Sequence, residues 1–363
     1  MTIRRSNHNL ILDKSVDFGR KLFAGVLRSR TGALTELSRL ARFQHGTKGF
    51  TRQWQKLLPL RERLQTAYRE VVRGAFPTAG LRLGIIDDTS IKKAGTHFPK
   101  QQLHYEHSDN AFYSGMKALS SSVYQNGKLA AVNTQLVGTR DNKLDVANQN
   151  VNLLIQQFSV DIFLFDSWYC KQPLLDTIQQ KGKRFVSRLR CNSKVLLGTE
   201  AQRLDTLFYG MPHDQYDAIR MNEKSYWVMD CTLNLNAYGT LRVIVSKDAV
   251  HAKPIFLVTN AFNFSAKFVV QLYLKRFAIE VFFKDAKQYL NFSTFLCRSP
   301  EKWELHFQLL QILHWALQKR NSISRIVRQI REDFDACRSY INANPLIQRF
   351  YAELRAVCQD WET

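Results

Sequence analysis

Residues 81–90 read LRLGIIDDTS, a short apolar run that closes on two acids. An unbroken run of this length fits a strand buried on both faces in the middle of a sheet; a half-exposed strand would alternate. Further along, residues 116–138 read MKALSSSVYQNGKLAAVNTQLVG and set Asn126–Gly127 between two strand-like runs. That dipeptide suits the positive φ angles of a two-residue hairpin turn. Residues 141–158 place Leu144, Ala147, Val151, Leu154 and Ile155 on one helical face. DIFLFDSWY (161–169) is a second apolar strand ending in an acid, 172–180 reads as helix, and KRFVSRLRCN (183–192) as strand.

The order strand, hairpin, helix, strand, helix, strand predicts an α/β protein with a mixed sheet and helices on its faces, the order of a ribonuclease H-like fold. Right-handed crossovers bring the C-terminal ends of strands 81–88 and 161–166 close together. Ligands of open α/β sheets bind at such ends, so Asp87 and Asp166 are expected to meet there.

The flanks differ in character. Residues 1–76 read as helices, with Phe23, Val26, Leu27, Leu34, Leu37 and Leu40 at helical spacing, a break near His45–Gly46 and Pro59 interrupting a second stretch. This region holds 16 Lys/Arg against 5 Asp/Glu and is expected to be a basic helical DNA-binding region. It shows no recognition-helix signature, so no base-reading residue is assigned. Residues 77–192 form the first part of the core. Residues 193–262 carry three strand-like runs and read as a β-rich insertion. Residues 263–315 return to the core with two helices, the second an amphipathic one over 302–318. Residues 316–363 form a C-terminal helical tail, with Arg325, Arg328 and Arg331 beside apolar Ile and Val.

Charge points to the partner. The 363 residues include 52 Lys/Arg and 31 Asp/Glu, a net +21, which argues for a polyanion such as nucleic acid. No run of 18 apolar residues exists, so no membrane span is expected. The start, MTIRRSNHNLILDKS, lacks the apolar segment of a secretory signal. Cys170, Cys191, Cys231, Cys297, Cys337 and Cys358 form no C-x-x-C pair and read as reduced thiols. The nine histidines show no H-x-x-x-H spacing, and His104 and His107 read as loop surface. The expected location is cytoplasmic, on the nucleoid.

The chemistry turns on YLKRFAIEVFFKDAK, residues 273–287. On one continuous helix Tyr273, Arg276, Glu280 and Lys287 fall within an arc of about 60°. A carboxylate between an arginine, a lysine and a tyrosine suits a cation beside phosphates, although Arg276–Glu280 is also an ordinary surface pairing. Asp87, Asp166 and Glu280 then make a set of three carboxylates. Oxygen-only ligands suit Mg²⁺ or Mn²⁺, and two ions roughly 4 Å apart clamp the attacking and leaving oxygens of in-line phosphoryl transfer.

These residues resemble a known family. Tyr273-x2-Arg276-x3-Glu280-x6-Lys287 is similar to the Y-(2)-R-(3)-E-(6)-K signature of the insertion-sequence-4 family of bacterial transposases. IDDTS at Asp87 and LFDSWY at Asp166 resemble its two aspartate motifs, and the β-rich segment before the glutamate helix matches in order. The resemblance implies a DDE transposase in which Asp87, Asp166 and Glu280 bind two Mg²⁺ or Mn²⁺ ions, and Tyr273, Arg276 and Lys287 grip DNA phosphates. It also implies cleavage at transposon ends, 3′-hydroxyl strand transfer into target DNA in cut-and-paste transposition, and a homodimer on DNA. The rivals are a ribonuclease H-fold nuclease without strand transfer and a catalytically silent DNA-binding relative. In D-x-T the first acid is the ligand, which selects Asp87. Asp88 points to the opposite face if the strand continues, as a supporting group or a helix-facing partner. Trp168 is expected either to wall the site or to sit in the core. Trp227, in the insertion, is expected to be either a packed strand residue or a base-stacking one. Lys92, Lys93, Arg188 and Arg190 lie near strand ends, where a phosphate backbone would pass.

Overall fold

The computed structural model describes residues 20–43, 46–95, 97–106, 110–138, 140–221, 223–318 and 323–359. The expectations for the first 15 residues, for His107 and for the Cys358 side chain lie outside what it describes.

The first apolar run forms β1 (Leu83–Lys92). It pairs antiparallel with β3 (Ala111–Gln125), and β3 pairs with β4 (Lys128–Val137). The turn between β3 and β4 has Asn126 at φ 50° and Gly127 at φ 78°, the left-handed geometry that this dipeptide adopts cheaply. On its other side β1 runs parallel to β5 (Ile162–Phe165), and β5 parallel to β6 (Arg184–Leu189). The crossovers are α5 (Lys143–Phe158) and α6 (Gln172–Gln180). Three antiparallel strands continued by two parallel ones, with helical crossovers, is the ribonuclease H-like order. Close approach matters at Gly84, where a Cβ would lie 2.9 Å from the Phe163 ring. A side chain there would have to displace the Phe163 ring or loosen β1 on β5, the pairing that sets Asp87 and Asp166 side by side.

The sheet does not stop at β6. The 193–262 segment supplies β7 (Lys194–Leu197), β8 (Glu200–Arg203), β9 (Asp217–Met221), β10 (Lys224–Leu235), β11 (Gly239–Lys247) and β12 (Ile255–Thr259). β12 pairs with β6, and the order along the sheet is β2-β3-β1-β5-β6-β12-β11-β10-β7-β8. The segment inserted in sequence is therefore continuous with the central sheet in space. An unforeseen strand, β2 (Gln102–Glu106), borders β3, where a polar loop was expected.

The expected helix 273–287 is two helices. α8 (Ala266–Lys275) ends and α9 (Phe277–Tyr289) begins at Arg276, where the amides of Arg276 and Ile279 bond three residues back, to Tyr273 O (3.0 Å) and Arg276 O (3.1 Å). The tighter local turn shifts the faces of the two segments against each other.

α10 (Pro300–Leu317) is not amphipathic but buried around nearly its whole circumference. Some of its polar groups are paired inside: Gln311 Nε2 donates to Thr134 Oγ1 at 2.7 Å, and His306 Nε2 lies 3.2 Å from Asn291 O. Trp303, Phe307 and Leu310 are fully buried, each contributing about 2 kcal/mol. The N-terminal helices, one over residues 20–28 and α4 (Arg61–Ala75), pack on this C-terminal part. Tyr68 Oη donates to Ala131 O, and Asn291 Nδ2 to Val26 O. They share one hydrophobic core with the sheet.

Candidate active site

Side chains alternate across β1, so Asp87 and Asp88 leave it on opposite faces. Asp87, Asp166, Arg276, Glu280, Lys284 and Lys287 line a cleft of about 430 Å³, which Asp88, Thr89 and Phe283 also border. β1 positions Asp87, the turn after β5 positions Asp166, and α9 brings Glu280, Lys284 and Lys287. The main polar link across the cleft is Arg276. Its Nη1 donates to Asp87 Oδ2 at 2.9 Å and its Nη2 to Glu280 Oε1. The guanidinium is 7% exposed, and its Nε is buried with no partner among the described residues.

Burial raises the Asp87 carboxyl from its ordinary 3.8 to about 7; Arg276 opposes this, while Asp88 and Asp166 add to it by repulsion. Such a crowded, half-neutralised carboxylate gains from a cation. Among the described residues, however, no three His, Cys, Asp or Glu side chains stand close enough to hold a metal ion together. The carboxylates share a cleft without converging on one point, because Arg276 lies between Asp87 and Glu280. Asp87 and Asp166 are hard oxygen donors, the kind that Mg²⁺ or Mn²⁺ takes. Glu280 is of the same kind, but its Oε1 is engaged by Arg276.

Tyr273 lies elsewhere. The helix break at Arg276 leaves it buried and facing a neighbouring cleft with Arg188, Tyr226, Lys253 and Phe277, its ring 5.5 Å from the Arg276 guanidinium. Arg276, Glu280 and Lys287 reach the acidic cleft, so the four do not share one stripe. Lys284 was missed, though its place four residues after Glu280 carried the signal.

Asp88 is enclosed. Lys143 Nζ (2.6 Å) and Tyr169 Oη (2.6 Å) donate to its Oδ1, and Lys117 Nζ lies 3.3 Å from Oδ2. Burial alone would raise its pKa, but Lys143 and then Lys117 outweigh it and hold the carboxyl below 3.8. These partners come from β3, α5 and the turn after β5, which no local pattern could link. Trp168 takes the Lys143 ammonium 3.3 Å from its ring centroid. Trp227 sits in β10 opposite Lys247, with His213 beside its ring at 5.2 Å, and does not line the acidic cleft. Lys93 is buried, donating to Ser293 O (2.6 Å) and Phe295 O (2.9 Å), which removes it as a phosphate contact. Arg188 and Arg190 stay exposed on and just after β6.

A ribonuclease H-like sheet with acids just beyond the last pair of two adjacent parallel strands, and a third on a helix packed against them, is the layout of the DDE class. Residues 78–316 match the family described as Transposase DDE domain, and the chain belongs to that family. It is also similar to a probable transposase for insertion sequence element IS5377 of Geobacillus stearothermophilus, 45% identical over 136 residues. That match covers 37% of this chain and 32% of the relative, so the chain spans about a third of the relative's length. No helix among the described residues is long and apolar enough to cross a membrane.

Proposed function

We propose that the chain is a DNA transposase of the insertion-sequence-4 type, cutting at transposon ends and joining the freed 3′-hydroxyl to target DNA. The observation that supports this reading is that Asp87, Asp166 and Glu280 line one cleft together with Arg276 and Lys287. In the first step a water oxygen bonds to the scissile phosphorus, the P–O3′ bond breaks, and the 3′-oxygen leaves as a hydroxyl. In the second, that hydroxyl oxygen bonds to a target phosphorus and displaces the target's own 3′-oxygen. Two Mg²⁺ or Mn²⁺ ions, when bound, lower the pKa of the attacking group and stabilise the leaving oxygen.

The protein's part is to hold and release charge. Asp87, Asp166 and Glu280 supply the oxygen ligands. The Nε of Arg276 has a donor to spare, and exchanging its carboxylates for a DNA phosphate frees Glu280 for the cation. Lys287 meets the phosphate backbone at the cleft, and Tyr273 orients Arg276 from the adjacent cleft. The +21 charge, half of it from the first 76 residues, adds non-specific DNA affinity. Pairing two transposon ends calls for a homodimer on DNA. The expected setting is the bacterial nucleoid.

A second reading has one observation in its favour: the Arg276 bridge between Asp87 and Glu280 suits a DNA-binding relative whose site never loads metal. One experiment separates the readings. The protein is incubated with Mg²⁺, a target plasmid and duplexes carrying the DNA ends that flank its gene. Cleaved and joined products support the transposase, cleavage alone supports a nuclease, and binding without cutting supports the silent relative.

A further inference from the structure

We infer that Asp88, through Tyr169 and Lys143, is the positioning group that holds Asp166 in place against Asp87; this rests on the catalytic reading of the cleft. The ladder between β1 and β5 ends with the pair Ile86 and Phe165, one residue short of both aspartates. Beyond it no strand pairing fixes their separation. The next tie is made by side chains. Tyr169 N bonds back to Asp166 O at 2.9 Å, which closes a turn over 166–169. The hydroxyl of the same Tyr169 reaches across to Asp88 Oδ1 at 2.6 Å. Asp88 thus anchors on β1 the turn that carries Asp166. On the β6 side the Ser187 hydroxyl lies 3.2 Å from Phe165 O and 3.5 Å from Asp166 O.

Lys143 completes the anchor. Its ammonium donates to Asp88 at 2.6 Å and lies over the rings of Trp168 (3.3 Å) and Tyr169 (4.8 Å), so it grips two residues of the turn at once. It stands at the first position of α5, whose N-cap Asn142 accepts from Leu144 N, so the lysine is delivered from a fixed helix start. With two lysines and a phenol on its carboxylate, the charge of Asp88 is already compensated. Its neighbour Asp87 is left as the strand's donor to the cleft. Supporting groups of this kind alter metal affinity by about 10- to 100-fold when removed.

The test is Tyr169→Phe, which deletes one oxygen and keeps the ring under Lys143, with Asp88→Asn as the second variant. Mn²⁺ binding is read by electron paramagnetic resonance without DNA, and single-turnover cleavage is read on end-bearing duplexes. For Tyr169→Phe we expect about a 10-fold weaker Mn²⁺ midpoint and about a 10-fold slower cleavage, with DNA affinity unchanged. A packing role alone would lower the melting temperature and leave the Mn²⁺ midpoint where it is; that result overturns the inference. Asp88→Asn, if it folds, is expected to match or exceed Tyr169→Phe, and a wild-type midpoint in that variant also counts against it. Wild-type protein that neither binds Mn²⁺ nor cuts overturns the catalytic reading itself, and the inference with it.

Discussion

Asp87 and Asp88 are neighbours in sequence, yet they occupy opposite kinds of surroundings. One faces a cleft where its main polar partner is a guanidinium it shares with Glu280. The other faces a closed knot in which Lys143, Lys117 and Tyr169 satisfy it. Burial acts on both, but only on the Asp88 side do the partners outweigh it. Under the proposed function, the acid that takes the cation is the under-satisfied one. A carboxylate with an unmet need for positive charge can take a cation and pass it to a substrate, whereas a fully paired one can only hold structure.

The largest expected effect breaks the open side. Glu280→Gln keeps the shape and hydrogen bonding of the side chain but removes its charge. Cleavage of end-bearing DNA should fall by about a thousandfold, roughly 4 kcal/mol at the barrier, with DNA affinity nearly unchanged in a gel-shift titration. A Glu280→Gln protein that cuts at the wild-type rate takes Glu280 out of the mechanism.

Next come two stability effects of opposite sign. The Asp87 carboxyl, raised to about 7 in the folded protein, keeps its proton where the unfolded chain has lost it. Folding stability from this group therefore falls as pH rises from about 4 to about 7, by about 4 kcal/mol. Asp87→Asn should accordingly be more stable than wild type at pH 8 and differ little from it near pH 4. Asp88 runs the other way. Its lowered pKa gives stability that is present above its ordinary value and lost as pH falls through the folded one. Asp88→Asn should lose about 3 kcal/mol at pH 8, because it strands buried Lys143 without its counter-charge. Urea melts of both variants at pH 4.5 and pH 8 check this. Shifts of the same sign at pH 8 would erase the contrast between the two faces.

The contrast was only half legible in the sequence. The places of Asp87 and Asp166 could be read because a buried strand writes an apolar run before an acid, as in IIDD and LFDS. The expected end of the first strand at residue 88 was wrong, since β1 runs on past Asp87 and Asp88 to Lys92. The ribonuclease H-like order followed from that pattern together with the Asn126–Gly127 turn. The alternation of a strand even put Asp87 and Asp88 on opposite faces. What encloses Asp88 was hidden, because Lys117, Lys143 and Tyr169 meet it from 29, 55 and 81 residues away. The break at Arg276 left no mark either, since neither Gly nor Pro stands there. β2 was missed because QLHYE borders only β3 and mixes polar with apolar residues. The burial of α10 on all sides was masked by glutamines and histidines whose partners lie on distant segments. That the β-rich segment extends the central sheet depends on the pairing of β12 with β6, about 70 residues apart, a register that strand-like runs alone do not fix.

The smallest effect sharpens the comparison from the side of the cations. Lys287 lines the cleft beside Asp87 and Asp166, where a phosphate backbone would run. Lys117 lies away from it in β3, 3.3 Å from Asp88. If the cleft is where DNA runs, Lys287→Ala should lower the slope of log affinity against log salt by about one and weaken binding about equally for all sequences. Lys117→Ala should leave that slope unchanged, although it removes the same formal charge. Fluorescence anisotropy over a series of NaCl concentrations measures both slopes on one duplex. Equal changes would mean that DNA senses only the total charge of the protein. A change confined to Lys287 would mean that the two faces of β1 are electrostatically separate, one turned toward the nucleic acid and the other toward the fold.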